Sequence, residues 1–224
     1  MLPRPRLEPF DSPDHLFEPW WGGVRALVYV DPSDAPGSGS VRVHDEDGHD
    51  LTRRLPELAG LGVRIDARSA ILDGELVVVD AAGRADDPAM QARLGGRAGR
   101  SVAFLAFDLL DLDGRSLLGQ PLVRRLEALR RVLRPGDEVV AVPAIATEGR
   151  ALWDAARAQG IAGVLARQRT SPYLPGIRSR LWRYIPVVPE PGRATESDEP
   201  PEPATPAAAP VLALIERLPL DLGE

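Results

Sequence analysis

The 224-residue sequence predicts an α+β domain of antiparallel sheets with helices packed outside them. Runs of branched residues follow one another through turns bounded by Gly, Asp or Pro, and amphipathic helical patterns are interspersed among them. In order, Val24 to Val30, Val41 to His44, Ile71 to Asp80, Val102 to Leu110 and Glu138 to Val142 read as strands. Between them, 81–100 is rich in Gly, Ala and Arg, with one short helix near Pro88 to Leu94. Pro121 to Leu133 is an amphipathic helix with proline in its first turn, and Gly149 to Gln159 is a second. No internal repeat is visible.

Composition changes near residue 187. Pro189 to Pro210 holds seven prolines with acids, Ser, Thr and Ala. It has too little apolar surface to offset its ordering entropy, so an extended linker is expected. Val211 to Leu218 then places apolar residues at helical spacing, with Pro219 as a stop. The expected organisation is a domain over 1–186, an acidic Pro-rich linker over 187–210 and a short helical tail over 211–224.

Hydrophobic residues at 44% and charged residues at 27% exclude whole-chain disorder. Cysteine is absent, which removes thiolate catalysis and iron–sulfur clusters. No apolar run reaches the roughly 18 residues of a membrane span, and a cytoplasmic protein without membrane contact is expected. All 27 basic residues are arginine; there is no lysine. Net charge is −6, all of it contributed by 187–224, so weak or no DNA binding is expected. The cluster Arg124, Arg125, Arg130, Arg131 and Arg134 reads as a solvated helix face, with a DNA-phosphate patch as the alternative.

Several segments occur in a recognisable order. They are Phe17 to Arg25 (FEPWWGGVR), Gly48 to Thr52 leading to Leu55 to Leu58, Ile71 to Leu76 (ILDGEL), Phe104 to Leu110 (FLAFDLL), Ala162 to Arg167 (AGVLAR) and Ser171 to Trp182. Together they resemble the adenylation domain of bacterial ATP-dependent DNA ligases over about residues 7–186. The resemblance implies the nucleotidyltransferase, ATP-grasp-like adenylation fold. It also implies a reaction in which a lysine attacks the α-phosphate of ATP and passes AMP to a DNA 5′-phosphate, with ATP and Mg used by active members. Family members follow this domain with an OB-fold; the 38 residues after 186 are too few and too proline-rich for one, so no OB-fold is expected.

Against the family's motifs, the catalytic positions are degenerate. Lys-x-Asp-Gly-x-Arg reads Trp20 to Arg25, placing an indole at the nucleophile and Gly22 at the acid. Indole nitrogen only donates, and arginine keeps its proton, so neither supplies a nucleophilic amine. Glu46 stands where the family has an arginine near phosphate, and Ala162 where it has a metal-binding carboxylate. Arg167 replaces a lysine with retained charge, while Tyr184 and Pro186 replace two phosphate-holding lysines. His15, His44 and His49 are the only other nucleophile types, and none matches the lysine position.

The resemblance assigns a residual nucleotide cleft to Gly23, Arg25, Glu75, Phe107 and Arg167, with Phe107 at the adenine-stacking position and Glu75 near ribose. The alternative is structural: Phe107 in the core, Glu75 capping a turn, Arg25 pairing with an acid. Trp20 either plugs the pocket or offers a new aromatic surface. No metal site and no bound cofactor are expected. The expected function is that of a pseudoenzyme, a scaffold for a protein partner in DNA repair or recombination, with 211–218 as a docking helix. The alternatives are a working ATP-dependent DNA ligase and a non-catalytic nucleotide or nucleic-acid binding module.

Overall fold

The computed structural model describes residues 1–187 and 208–218. Two sheets face each other. One has the order β1-β11-β10-β2-β9, formed by β1 (Leu2–Pro5), β2 (Ser12–Trp20), β9 (Ile145–Thr147), β10 (Gly163–Gln168) and β11 (Arg178–Pro186). The other runs β4-β3-β5-β6-β7, formed by β3 (Val24–Val30), β4 (Val41–Asp45), β5 (Ala70–Val77), β6 (Ala103–Leu112) and β7 (Arg115–Ser116), with β8 (Val139–Ala141) also on β6. Pairings are antiparallel except β1 with β11 and β6 with β8. The α+β antiparallel architecture read from the sequence is therefore the one observed.

The second sheet follows its sequence pattern. In β3, Ala26, Val28 and Val30 are buried while Arg25, Leu27 and Tyr29 are half-buried, the alternation of a strand with one face more covered than the other. Central β5 and β6 are buried on both faces along most of their length and read as near-continuous apolar runs. Helix α2 (Leu122–Val132) packs on β6, helping close a core with Leu58, Leu61, Leu72, Phe104, Leu126 and Leu129. Helix α3 (Gly149–Gln159) lies on β2 and β10 and ends in Gly160 at φ +74°. Helix α1 (Asp87–Leu94) is capped by the Asp86 carboxylate, which accepts from Ala89 N–H.

Two expectations about the tail are corrected. The last helix, α4, spans Ala209–Ile215 and so begins inside the stretch read as linker. Its apolar face, Val211, Leu214 and Ile215, is buried together with Ala208 and Leu218 in the core shared with Trp21 and Val79. Ala208 N–H donates to Asp137 O, and Arg217 donates to Ala82 O. The face assigned to a partner is covered by the chain's own domain. The rest of the linker, 188–207, and residues 219–224 lie outside the described residues.

Candidate active site between the sheets

Trp20 ends β2, and the chain turns through Gly22 at φ +81° into β3. The indole of Trp20 enters the space between the sheets, with its ring centroid 5.9 Å from that of Phe107 and 6.1 Å from that of Tyr184. Trp21 goes to the core instead: it is 2% exposed, and its Nε1–H donates to Gly83 O at 2.9 Å. The two indoles thus take separate sites, as expected of adjacent residues at a strand end.

Glu75, on β5, sits beneath this turn. Its carboxylate accepts from Trp21 N–H at 3.0 Å and from Gly23 N–H at 2.9 Å. Burial raises it to about 7, opposed by these backbone donors and by nearby Arg25. Gly23 is needed for close approach: a Cβ there would lie 2.3 Å from Leu76 O. Gly22 faces Ala162, whose Cβ is 3.0 Å from where a Gly22 Cβ would be. Gly22 and Ala162 therefore pack against each other with no room for a larger side chain at position 22.

The arginines are bound internally. Arg25 makes a bidentate pair with Asp73, at 3.0 and 2.6 Å, and donates to Met1 O and Tyr173 Oη. Arg167, fully buried, donates to Asp108 at 2.8 Å, to Glu18 at 2.5 Å and to Phe107 O at 2.6 Å. Arg125 is also fully buried, holding Asp108 bidentately at 2.8 and 2.9 Å. Glu18 is driven up to about 7 by burial, with Arg167 pulling the other way. Two expectations change here. Arg167 does not line an open cleft, and Arg125 does not belong to the solvated face that Arg124, Arg130, Arg131 and Arg134 present.

Phe107 is 2% exposed and surrounded by Trp20, Trp182, Arg25 and Arg167. Trp182 Nε1, Arg167 Nε and Glu18 Oε2 are buried without a hydrogen-bond partner, each almost untouched by a water-sized probe. Protein atoms therefore close the space around them. Tyr184 Oη donates to Ala162 O at 3.2 Å, and the main-chain Pro186 O accepts from Trp153 Nε1 at 3.1 Å, so each is engaged within the domain. Glu46 and Asp47 are exposed in the turn after β4. His15 meets Ser12 and Phe10, His44 packs on Tyr29, and His49 pairs with Asp45.

Sequence reasoning did not assign the acids that neutralise these arginines: Glu18, Asp73 and Asp108. All three lie inside segments quoted above; for Asp73 and Asp108 the signal was an acid on an otherwise apolar strand, as in Phe104 to Leu110, whereas Glu18 on β2 had no such signal.

Two facing, largely antiparallel sheets, with Arg25 and Glu75 opposite each other on neighbouring strands, have the architecture of a nucleotidyltransferase-type adenylation domain. The chain belongs to the ATP-dependent DNA ligase domain family, whose model matches residues 5–184. It is 37% identical over 166 residues to the multifunctional non-homologous end joining protein LigD of Mycobacterium bovis, covering 74% of this chain and 21% of that protein. A probable DNA ligase of Saccharopolyspora erythraea is 33% identical over 166 residues, covering 73% of this chain and 31% of the relative. Among solved structures, mycobacterial DNA ligase D complexed with ATP and MES superposes with a TM-score of 0.66 at 31% identity, covering 83% of this chain and 59% of that one. The chain thus spans about a fifth of the length of its LigD relatives. Among the described residues no helix is long and apolar enough to cross a membrane.

Proposed function

We propose that this adenylation domain does not transfer AMP and acts by binding, as a scaffold in DNA repair of the kind its LigD relatives are named for. The observation that carries the reading is internal neutralisation. Each charged group at a position matching the family's site already has an internal partner: Arg25 has Asp73, Glu75 has Trp21 and Gly23 N–H, and Arg167 has Glu18 and Asp108. Phosphate would have to break such pairs in a dry interior, leaving a buried carboxylate alone at a cost of about 3–5 kcal/mol.

The residues present do not fit a magnesium nucleotide. Trp20 and Trp182 close around Phe107, and no group of three or more His, Asp or Glu converges among the described residues. The lysine-free composition supports the same reading, because no side chain offers an amine to form a phosphoramidate. Incubation with labelled ATP and magnesium, followed by intact mass, tests it; the expected spectrum lacks a covalent AMP adduct. An adduct mapped to any residue of this domain would establish the ligase-type alternative.

A further inference from the structure

The first sheet covers only part of the second. At the Glu75 and Phe107 end, the inner face of the second sheet is closed by Trp20, Trp182 and Tyr184. Toward the opposite end, Leu27 and Tyr29 of β3 and Ile71 of β5 share that face, as their register pairs and the strand alternation require, and remain half-buried. With Leu110 and Leu118 they line a groove of about 570 Å³ beside Arg25. The volume lies in the range of built ligand and side-chain sites.

Charge distinguishes the contents this groove accepts. Its rim carries Asp45, Glu46, Asp47 and Asp111, and its one lining arginine, Arg25, is cancelled by Asp73. Asp45 is held by His49, but the Glu46 and Asp47 side chains have neither an ion pair nor a hydrogen-bond partner among the described residues. A phosphate entering here meets repulsion; a cation meets free carboxylates above an apolar floor. Tyr29 already carries a guanidinium, with Arg42 Cζ 5.1 Å from its ring centroid, and that arginine is paired with Asp31. Paired in this way, Arg42 adds no net charge beside the groove.

We propose that this groove docks an extended basic segment of a partner protein, with aliphatic side chains on Leu27, Ile71 and Leu118 and arginine or lysine against Glu46 and Asp47. The inference rests on the reading that the chain binds rather than ligates, and it gives the partner a chemistry. Complementary charge sets register and speeds encounter, while the apolar floor contributes the buried area.

Fluorescence anisotropy on the full chain tests this with a labelled peptide alternating Leu and Arg. Three comparisons run beside it: the same peptide with Glu for Arg, the same peptide with Ser for Leu, and a nicked DNA duplex as competitor. The Leu-Arg peptide is expected to bind, and to weaken about tenfold in the E46K/D47K variant and as salt rises from about 0.05 to about 0.3 M. Leu27→Ser, which removes apolar floor and changes no charge, should weaken it comparably without altering the salt dependence. Both rim positions are exposed, and an unchanged circular dichroism spectrum shows that the double variant keeps its fold. The proposal is overturned if the Leu-Arg peptide fails to bind, if the Glu peptide binds equally, if E46K/D47K has no effect, or if nicked duplex displaces the peptide. Intact mass after ATP and magnesium on the same sample reports separately: an adduct removes the scaffold reading, whereas absent peptide binding without an adduct removes only the groove.

Discussion

Arginine and lysine carry the same charge, yet at position 167 the difference decides what the interior can hold. A guanidinium offers several donors in a fixed fork, and Arg167 directs three of its N–H bonds to Asp108, Glu18 and Phe107 O together. We expect Arg167→Met to cost about 3–5 kcal/mol at pH 8, because Glu18 is left buried without its cation; urea unfolding measures this. Trp20→Lys returns an amine, but Gly22 and Ala162 remain packed against each other and Arg167 remains paired. This single substitution should therefore give no AMP adduct by intact mass. Glu75 supplies a pH signature. Raised to about 7 in the fold, it keeps a proton between roughly pH 4.5 and 7 that the unfolded chain has released, so its contribution to stability falls as pH rises through that window. In Glu75→Gln the corresponding slope, of about 1–3 kcal/mol, should be absent when unfolding is compared at pH 5 and pH 8.

At the scale of elements, α4 is too short to be helical alone and owes its structure to the surface it covers. Leu214 is fully buried, and Gly83 at φ +82° lets the helix approach so closely that a Cβ there would sit 2.4 Å from Pro210 O. Leu214→Ala should cost about 2–5 kcal/mol in urea unfolding; a change below about 0.5 kcal/mol would mean that the helix does not belong to the core. The same comparison shows which elements could be read directly. The strands β3 and β4 and the helix α3 were visible from alternation or helical spacing, since each has one face against a core. Strands β2 and β11 were not. Ser12–Trp20 holds two prolines and three charged or titratable side chains, and Arg178–Pro186 holds three arginines, so neither carries an apolar signature. Neither was expected as a strand; parts of both entered only as motif segments, Phe17 to Arg25 and Ser171 to Trp182. Their burial comes from Phe17, Trp182 and Ile185, contributed to a shared core by strands far apart in sequence.

For the whole molecule, the expectation is that ATP leaves thermal stability unchanged. A ligand at 100 times its Kd stabilises by about 2.7 kcal/mol, so a scan with millimolar ATP and magnesium that raised Tm by several degrees would reveal a working nucleotide site. Balanced charge over 1–186 suits a domain whose arginines are largely committed to internal partners, and the acidic rim at Glu46 and Asp47 breaks that balance locally. Composition and motif order alone determined the α+β class, the family and the missing lysine amine, because these depend on which residues occur and in what order. Only the tertiary structure decided that Trp20 fills the space over Phe107, that Arg25 and Arg167 are bound to Asp73, Glu18 and Asp108, and that α4 folds onto its own domain. Each of these rests on side chains brought together from distant strands, where desolvation makes an available partner far more favourable than an open site.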